Sequence, residues 1–499
     1  MTDSSEPGGG TPVPAAAAID GSDVDSQRQV PVFRLFGFFF ADTSLLRRFR
    51  FQLVVVSRFL SEIGQESVFY ASLVQVATDG TPFQASVIGA AKVLPGALLG
   101  LFGGAVADAM PRRVGLGLGY AVQASLCVIT PVIFGTDFTA LLILVLGVST
   151  LNQFIGPSEK AVLPLISKRE EISTAASLMS LSDSIATGIG TAMVAPIILV
   201  VFGVKTVFYI SAIFLILASI RIFALPIQKD ITTKAALARL HLSEIDLGFR
   251  KALSWLLGWP AIISMIMVGM VVSVLSNVTE TLGPSYVSEV LHADPAKTIY
   301  VFAPAGLGAL VALMVAPKLL NKKGERWVAA VAVLIMSVAL FTMAFMEQLT
   351  PFLAPISPMN VVKLFGFEPT DELLAASFVS VFTGFAVSMS SVAVQTYVNK
   401  RVPNVQQGRV FGLQSVLVNA AALVPMLLLG ALASVVSIPA VLFFAPWVVL
   451  GAVYALLVLS GRWMGVETMS RGEVMDSFWH EPGGPGSTEQ PPVEPAAAP

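Results

Sequence analysis

Runs of mostly apolar residues recur twelve times along this 499-residue chain, at about 51–75, 84–107, 114–135, 138–157, 173–202, 205–225, 260–286, 298–319, 327–346, 373–396, 410–435 and 438–461. Each has the roughly 20 residues needed to cross a hydrocarbon layer about 30 Å thick. Lipid offers backbone N–H and C=O groups no partner, so each run is expected to be a helix that closes its own hydrogen bonds. A water-soluble domain is excluded by the same count: 55% of residues are hydrophobic and only 12% charged. The expected fold class is an all-α membrane protein with twelve transmembrane helices.

An even number of spans puts both termini on one side, and the distribution of basic residues says which. Of 30 Lys and Arg, Lys205, Lys297 and Lys363 fall on one side and Arg58 and Lys92 within spans. The others lie in the tails, in the even-numbered loops or at the span ends beside them. Both termini are therefore expected in the cytoplasm of a cell (inner or plasma) membrane. The net charge of −2 says nothing about nucleic acid, because the basic residues are spread along a membrane face rather than gathered in a patch, and no nucleic-acid partner is expected. The single cysteine, Cys127, lies in the third span and excludes an intrachain disulfide. The three histidines, His241, His292 and His480, fall in loops or the tail without ligand spacing, so neither a metal site nor a cofactor is expected. No nucleophile, base and orienting acid occur together, so no enzyme is expected either.

Composition also divides the chain. Residues 1–45 are rich in Gly, Pro and Ala, then Phe and Arg, and read as a disordered tail ending in an interfacial segment, not a signal peptide. Asp42 or Thr43 is available there as a helix cap. A six-span half follows at 46–227, then a charged linker at 228–256, a second six-span half at 257–463, and a polar tail at 464–499. Weak echoes cross the linker: Leu178, Ser180 and Asp183 open the fifth span much as Leu413, Ser415 and Asn419 open the eleventh. The two halves are thus expected to be pseudo-symmetric.

Between the second and third spans stand Gly103, Gly104, Asp108, Pro111, Arg112 and Arg113. This turn resembles the G-x-x-x-D-x-x-x-R-[RK] loop of major facilitator superfamily transporters. Its counterpart after the eighth span runs from Gly306 and Gly308 to Lys322, Lys323 and Arg326 and lacks the acid. Further stretches are similar to the bacterial exporter branch that includes macrolide efflux proteins and the enterobactin exporter. They are Thr43–Arg50 and Ser61–Gly64 at the first span, Gly156–Pro164 with Lys168–Glu171 after the fourth, and Gly408–Gly412 at the eleventh. The resemblance covers roughly residues 43–462 and implies the major facilitator fold, two six-helix halves that rock about a central substrate. It also implies an inner gate in which Asp108 seats against the start of the eleventh span, with Arg409 adding positive charge to the helix terminus. Gly104, Asp108, Arg112, Arg113 and Arg409 form this candidate gate. One departure is Gln65, which follows the first-span glycine where many relatives carry an acid.

Ionisable residues inside a span cost about 2.5 to 3.5 kcal/mol near its centre and call for a partner or a wet cavity. Arg58, Glu62 and Glu66 are spaced by four on one face of the first span. At a rise of about 1.5 Å per residue they sit roughly 10, 16 and 22 Å deep. Lys92 of the second span falls near the level of the two acids, and Asp183 of the fifth near that of Arg58 and Glu62. These five are expected to share one polar cavity, with two cations facing three acids. The acid left over is a candidate proton carrier, although a static network that only fixes helix registry accounts for the same residues. In the second half, Asn277 and Glu280 share a face of the seventh span, where Glu280 either gates the outer mouth, touches a cationic substrate or is simply solvated. Gln395 and Asn419 are cavity-lining or interhelical hydrogen bonders. Pro95, Pro196 and Pro425 permit bends, and Met265, Met267 and Met270 face lipid or packing neighbours or line an adaptable apolar cavity. The segment from Glu347 to Asp371 carries four prolines and either caps the outer mouth or is a disordered loop.

The function that follows is secondary active transport by a monomer in the lipid bilayer: a proton-coupled exporter of hydrophobic or amphipathic small molecules of the drug or siderophore class. The run from Phe59 to Gly64 also resembles lysophospholipid transporters, and a non-transporting scaffold or sensor is the alternative outside transport.

Overall fold

The computed structural model describes residues 45–109, 112–167, 171–225, 253, 256, 259–365, 369–402 and 404–464. Twelve long helices cross it: α1 (Phe49–Asp79), α2 (Pro82–Ala109), α3 (Arg112–Ile129), α4 (Phe138–Ile166), α5 (Ile172–Ile189, continued through a π turn into Ala195–Phe202), α6 (Val204–Phe223), α7 (Pro260–Glu289), α8 (Thr298–Phe302, continued as Ala305–Lys323), α9 (Glu325–Ala344), α10 (Asp371–Arg401), α11 (Asn404–Val435) and α12 (Ile438–Met464). Ten are long and apolar enough to span a membrane by composition alone. The other two are α1, which carries Arg58, Glu62 and Glu66, and α5, which is interrupted at Gly190–Val194.

The helices extend the apolar runs at most ends, and α4 does so most. The expected end near residue 157 is corrected to Ile166. Val162, Leu163 and Ile166 are buried and continue the packed face beyond the polar stretch at Ser158 and Glu159, so the chain does not turn there.

Each half has its own core. One cluster gathers residues between Leu45 and Leu225 with Ala296, and the other gathers residues between Leu253 and Val453 with Val93. The pairings repeat: α2 packs on α4 as α8 packs on α10, α1 on α6 as α7 on α12, and α3 on α6 as α9 on α12. Met265, Met267 and Met270 are buried in the second core rather than turned to lipid. Cys127 is buried in the first. Exposed Leu, Val, Met and Phe on the outer helix faces, such as Val200, Phe202, Met314 and Leu334, are what a lipid-facing surface requires.

The halves meet along α2 and α11, which run antiparallel. Ser86 lies against Gly430, Gly89 against Met426, Gly96 against Asn419 and Gly100 against Val416. A side chain at Gly96 would collide with the Asn419 amide, so the missing Cβ sets the closeness of this seam. Asn419 is thus a packing residue of the seam. Among the described residues the seam has no equal on the other side of the molecule: α5 meets α8 through the π turn of α5 and the first turn of α8. Beside that contact the turn Pro295–Lys297 touches α1 and the last segment of α5, with Ala296 buried in the first core. These contacts lie at the end of the bundle away from the termini.

The segment after α9 is helical where described: Met346–Leu353 and the 3-10 turns Ala354–Ile356 and Pro358–Phe365 pack on α10, and the Ser357 and Ser377 hydroxyls are 3.0 Å apart. At the other end, Leu45 and Leu46 are buried and Arg48 donates to both oxygens of Glu171, at 2.6 and 2.8 Å, tying the start of α1 to that of α5. Asp42, Thr43, His241, His480, the linker and both tails lie outside the described residues, apart from Leu253 and Leu256, which join the second core.

Candidate functional site

Ionisable side chains collect in two groups on and around α1. The first surrounds Arg58. Its Nη2 is 3.0 Å from Glu62 one turn on, its Nη1 is 3.0 Å from Glu159 of α4, and its Nε donates to Asp183 of α5 at 2.9 Å. The Tyr120 hydroxyl of α3 donates to Glu159, and the Thr187 hydroxyl of α5 donates to Glu62 at 3.3 Å. Carboxylates of three helices of the first half therefore converge on one guanidinium, whose planar fork lets it hold several at once, and α3 joins through Tyr120. Glu159 is 4% exposed and Asp183 33%, so the group grades from sealed to wet across Arg58.

The second group is one turn further along α1. Lys92 of α2 places its ammonium 3.0 Å from Glu66 and 3.3 Å from Glu280 of α7, and 4.0 Å over the ring of Phe69. Glu66 belongs to one half and Glu280 to the other, so Lys92 ties the two together. The Glu280 side chain is 37% exposed and that of Lys92 30%, against 11% for Glu66.

Three sequence expectations change here. The five charges expected in one cavity divide into two groups, because Arg58 and Thr187 reach Glu62 whereas Lys92 reaches Glu66. The count of acids rises from three to five, since Glu159 and Glu280 join them. Glu280 is not an isolated, solvated acid, because α7 packs against α1 and α2 and brings it to Lys92.

Glu159 is the residue that sequence reasoning missed. Its polar neighbours read as loop, yet Ile155, Glu159, Val162 and Ile166 recur at spacings of three and four, all buried, which is the signature of one helix face. Gln65 turns away from both groups and donates to Gln123 of α3 at 3.4 Å, with both amides buried. Asn277 is half-buried on α7, and Gln395 is exposed with its amide 3.4 Å from the Ser391 hydroxyl.

The path between the groups is shaped by α5. The Ser67 hydroxyl donates to the carbonyl of Gly190 at 3.2 Å, and a Cβ at Gly190 would stand 2.9 Å from the Ile63 carbonyl and 3.2 Å from Glu66. The π turn Gly190–Val194, followed by Pro196, lets α5 lie this close to α1. Of the candidate gate, Arg113 stacks its guanidinium 6.0 Å from the ring of Phe223 on α6. The side chains of Gly104, Asp108, Arg112 and Arg409 lie outside the described residues.

A family model described as Major Facilitator Superfamily matches residues 53–369. Among solved structures, the chain is similar to the nucleoside transporter NupG, with 12% identity, a TM-score of 0.58 and coverage of 82% of this chain and 98% of that one. It is also similar to a bacterial homologue of the iron transporter ferroportin in an inward-facing state, with 16% identity, a TM-score of 0.54 and coverage of 83% and 98%. A third likeness is to a bacterial homologue of the human lysosomal transporter Spinster, with 12% identity, a TM-score of 0.56 and coverage of 83% and 95%. At these identities the likeness carries the fold alone. Among curated proteins no sequence matches.

Proposed function

Since the chain belongs to the major facilitator superfamily, and so is a multi-pass membrane transporter of a small molecule, we propose that it is a proton-coupled exporter of hydrophobic or amphipathic compounds. It works in the cell membrane with both termini in the cytoplasm. The observation that carries this reading is Lys92, held at 3.0 Å by Glu66 of its own half and at 3.3 Å by Glu280 of the other. A cation shared across the line where two rocking halves part is where a proton can change the balance between them. When Glu66 is charged, Lys92 is drawn to its own half; when Glu66 takes a proton, Lys92 is left to Glu280 and the halves are drawn together at the outer end. Export follows if protons reach Glu66 from outside and the cargo is taken from within.

The Arg58 group is assigned the second role. Five acids face two cations over both groups, an imbalance that protons or a cargo cation offset. Asp183 is the wettest of the Arg58 partners, and its contact is the one assigned to change as the halves rock.

The reading is tested by reconstituting the protein in vesicles with an imposed proton gradient and a panel of dyes, macrolides and lysolipids. The wild type is expected to extrude members of the dye or macrolide set, and an uncoupler to abolish this. Glu66→Gln and Glu62→Gln are expected to lose the acceleration by the gradient. Full coupling in both variants removes the proton role, and lysolipid transfer insensitive to the uncoupler replaces the exporter by a lipid transporter.

A further inference from the structure

The turn between α8 and α9, the acid-poor twin of the turn at Gly104, plays no part in the mechanism above. Its charges are unequally engaged. Lys400 at the end of α10 places its ammonium 2.5 Å from Glu325, Arg326 donates to the Tyr397 hydroxyl at 2.7 Å, and Arg401 lies 3.9 Å over the Tyr397 ring. Lys318 and Lys322 are exposed and, among the described residues, make no ion pair. Lys323 sits 5.6 Å over the ring of Trp327, itself 39% exposed. This corner thus gathers Lys318, Lys322, Lys323, Arg326, Lys400 and Arg401 around one described acid, Glu325, which Lys400 already occupies.

The lysines also continue a lipid-facing surface. Leu310, Met314, Lys318 and Lys322 follow one another at intervals of four and share a face of α8. Leu310 is 54% exposed and Met314 78%, with Leu307 and Val311 exposed beside them. At about 1.5 Å per residue, Lys318 stands roughly 12 Å from Leu310 along the axis. A hydrocarbon chain laid on Leu310 and Met314 therefore ends, on the side of the termini, at two uncompensated ammonium groups. The indole of Trp327 lies 5.6 Å from the ammonium of Lys323, the residue after Lys322, and Trp is favoured at the level of lipid headgroups.

We propose that this corner binds an anionic phospholipid, its phosphate held by Lys318 and Lys322, its headgroup rimmed by Lys323 and Trp327, and its acyl chain on the outer face of α8. Charge selects the lipid: basic clusters at a membrane surface draw anionic headgroups, and a zwitterionic lipid offers no net charge to match. The first-half turn carries Asp108 beside Arg112 and Arg113, so the two copies of the turn are not equivalent in charge and the lipid marks the second half.

The test uses the full chain, purified in detergent and exposed to equal amounts of phosphatidylglycerol and phosphatidylcholine, with retained lipid counted by native mass spectrometry. The wild type is expected to keep phosphatidylglycerol preferentially. The combined variant Lys318→Gln, Lys322→Gln, Lys323→Gln is expected to lower that retention about tenfold. The control Lys205→Gln, Lys297→Gln, Lys363→Gln, with as many charges removed elsewhere, is expected to leave it intact. Equal retention of the two lipids, or equal loss in both variants, overturns the proposal. A second measurement leaves the lysines untouched: the emission of Trp327, taken as the difference between wild type and Trp327→Phe, is quenched by chain-brominated lipid in vesicles. Stronger quenching by brominated phosphatidylglycerol than by brominated phosphatidylcholine supports the site, and equal quenching overturns it.

Discussion

Arg58 balances three carboxylates drawn from three helices, and the energetic consequence is asymmetric. Removing one partner of a buried ion group leaves the others uncompensated, at a cost of about 3 to 5 kcal/mol, whereas the intact group contributes little net stability. Arg58→Ala is therefore expected to lower the thermal unfolding midpoint of the purified protein by many degrees or to abolish its accumulation in the membrane. Glu159→Gln should be milder, at about 1.5 to 3 kcal/mol, because Arg58 loses one charge-assisted contact but keeps the carboxylates of Glu62 and Asp183. A smaller loss for Arg58→Ala than for Glu159→Gln would show that Arg58 does not organise the group. At this scale the sequence was partly legible. Arg58, Glu62 and Glu66 stand out because charges in an apolar run are costly and a spacing of four puts them on one face. Glu159 and Glu280 were not, for different reasons. Glu159 sits among polar residues that resemble a loop, and Glu280 differs from a solvated acid only by the helix that packs against it.

Two local features govern how the helices approach one another. The π turn of α5 brings Gly190 within reach of α1, where any Cβ would press on the Ile63 carbonyl. Gly190→Val is expected to push α5 away and to cost about 1 to 3 kcal/mol, the usual penalty for overpacking. The readout is a lower unfolding midpoint together with reduced transport; an unchanged midpoint would mean that α5 and α1 are not in contact here. The seam of α2 and α11 depends on Gly96 in the same way, and Gly96→Leu is expected to force the Asn419 side chain out and separate the halves. Its check is cross-linking between cysteines placed at Phe83 and Ser434, which meet across the seam where the Phe83 N–H donates to the Ser434 hydroxyl at 2.9 Å: efficient coupling is expected with Gly96 and much weaker coupling with Leu. Glycines in the second span were visible in the sequence, but not which helix each one receives. The continuation of α4 to Ile166 was hidden by the polar residues at 158–160, while the spacing of the buried residues on either side announces it.

Taken as a whole, the molecule is joined along α2 and α11 and, at the end away from the termini, by α1, α5, α7 and the turn at Ala296. Lys92 and Glu280 act within that end contact. Both are partly wet, so the pair is worth about 1 kcal/mol, enough to move a two-state balance roughly fivefold. Glu280→Gln is accordingly expected to raise several-fold the labelling of a cysteine at Val74 by a membrane-impermeant thiol reagent, in a Cys127→Ala background. Val74 is 3% exposed and lies beside the contact, so labelling that does not change would show that Lys92 and Glu280 do not hold the halves together. By itself the sequence determined the class of fold, the number of helices and, in Arg58, Glu62, Glu66, Lys92 and Asp183, most of the charges that had to find partners. Hydrophobic length, helical period and the cost of charge in lipid are local properties, written into consecutive residues. Which helices meet, that the charges form two groups instead of one, and that a lysine of one half reaches an acid of the other were decided only by the tertiary structure. Ion pairing across helices depends on their relative depth and rotation, and these are set by close packing at positions such as Gly96 and Gly190 that carry no charge at all.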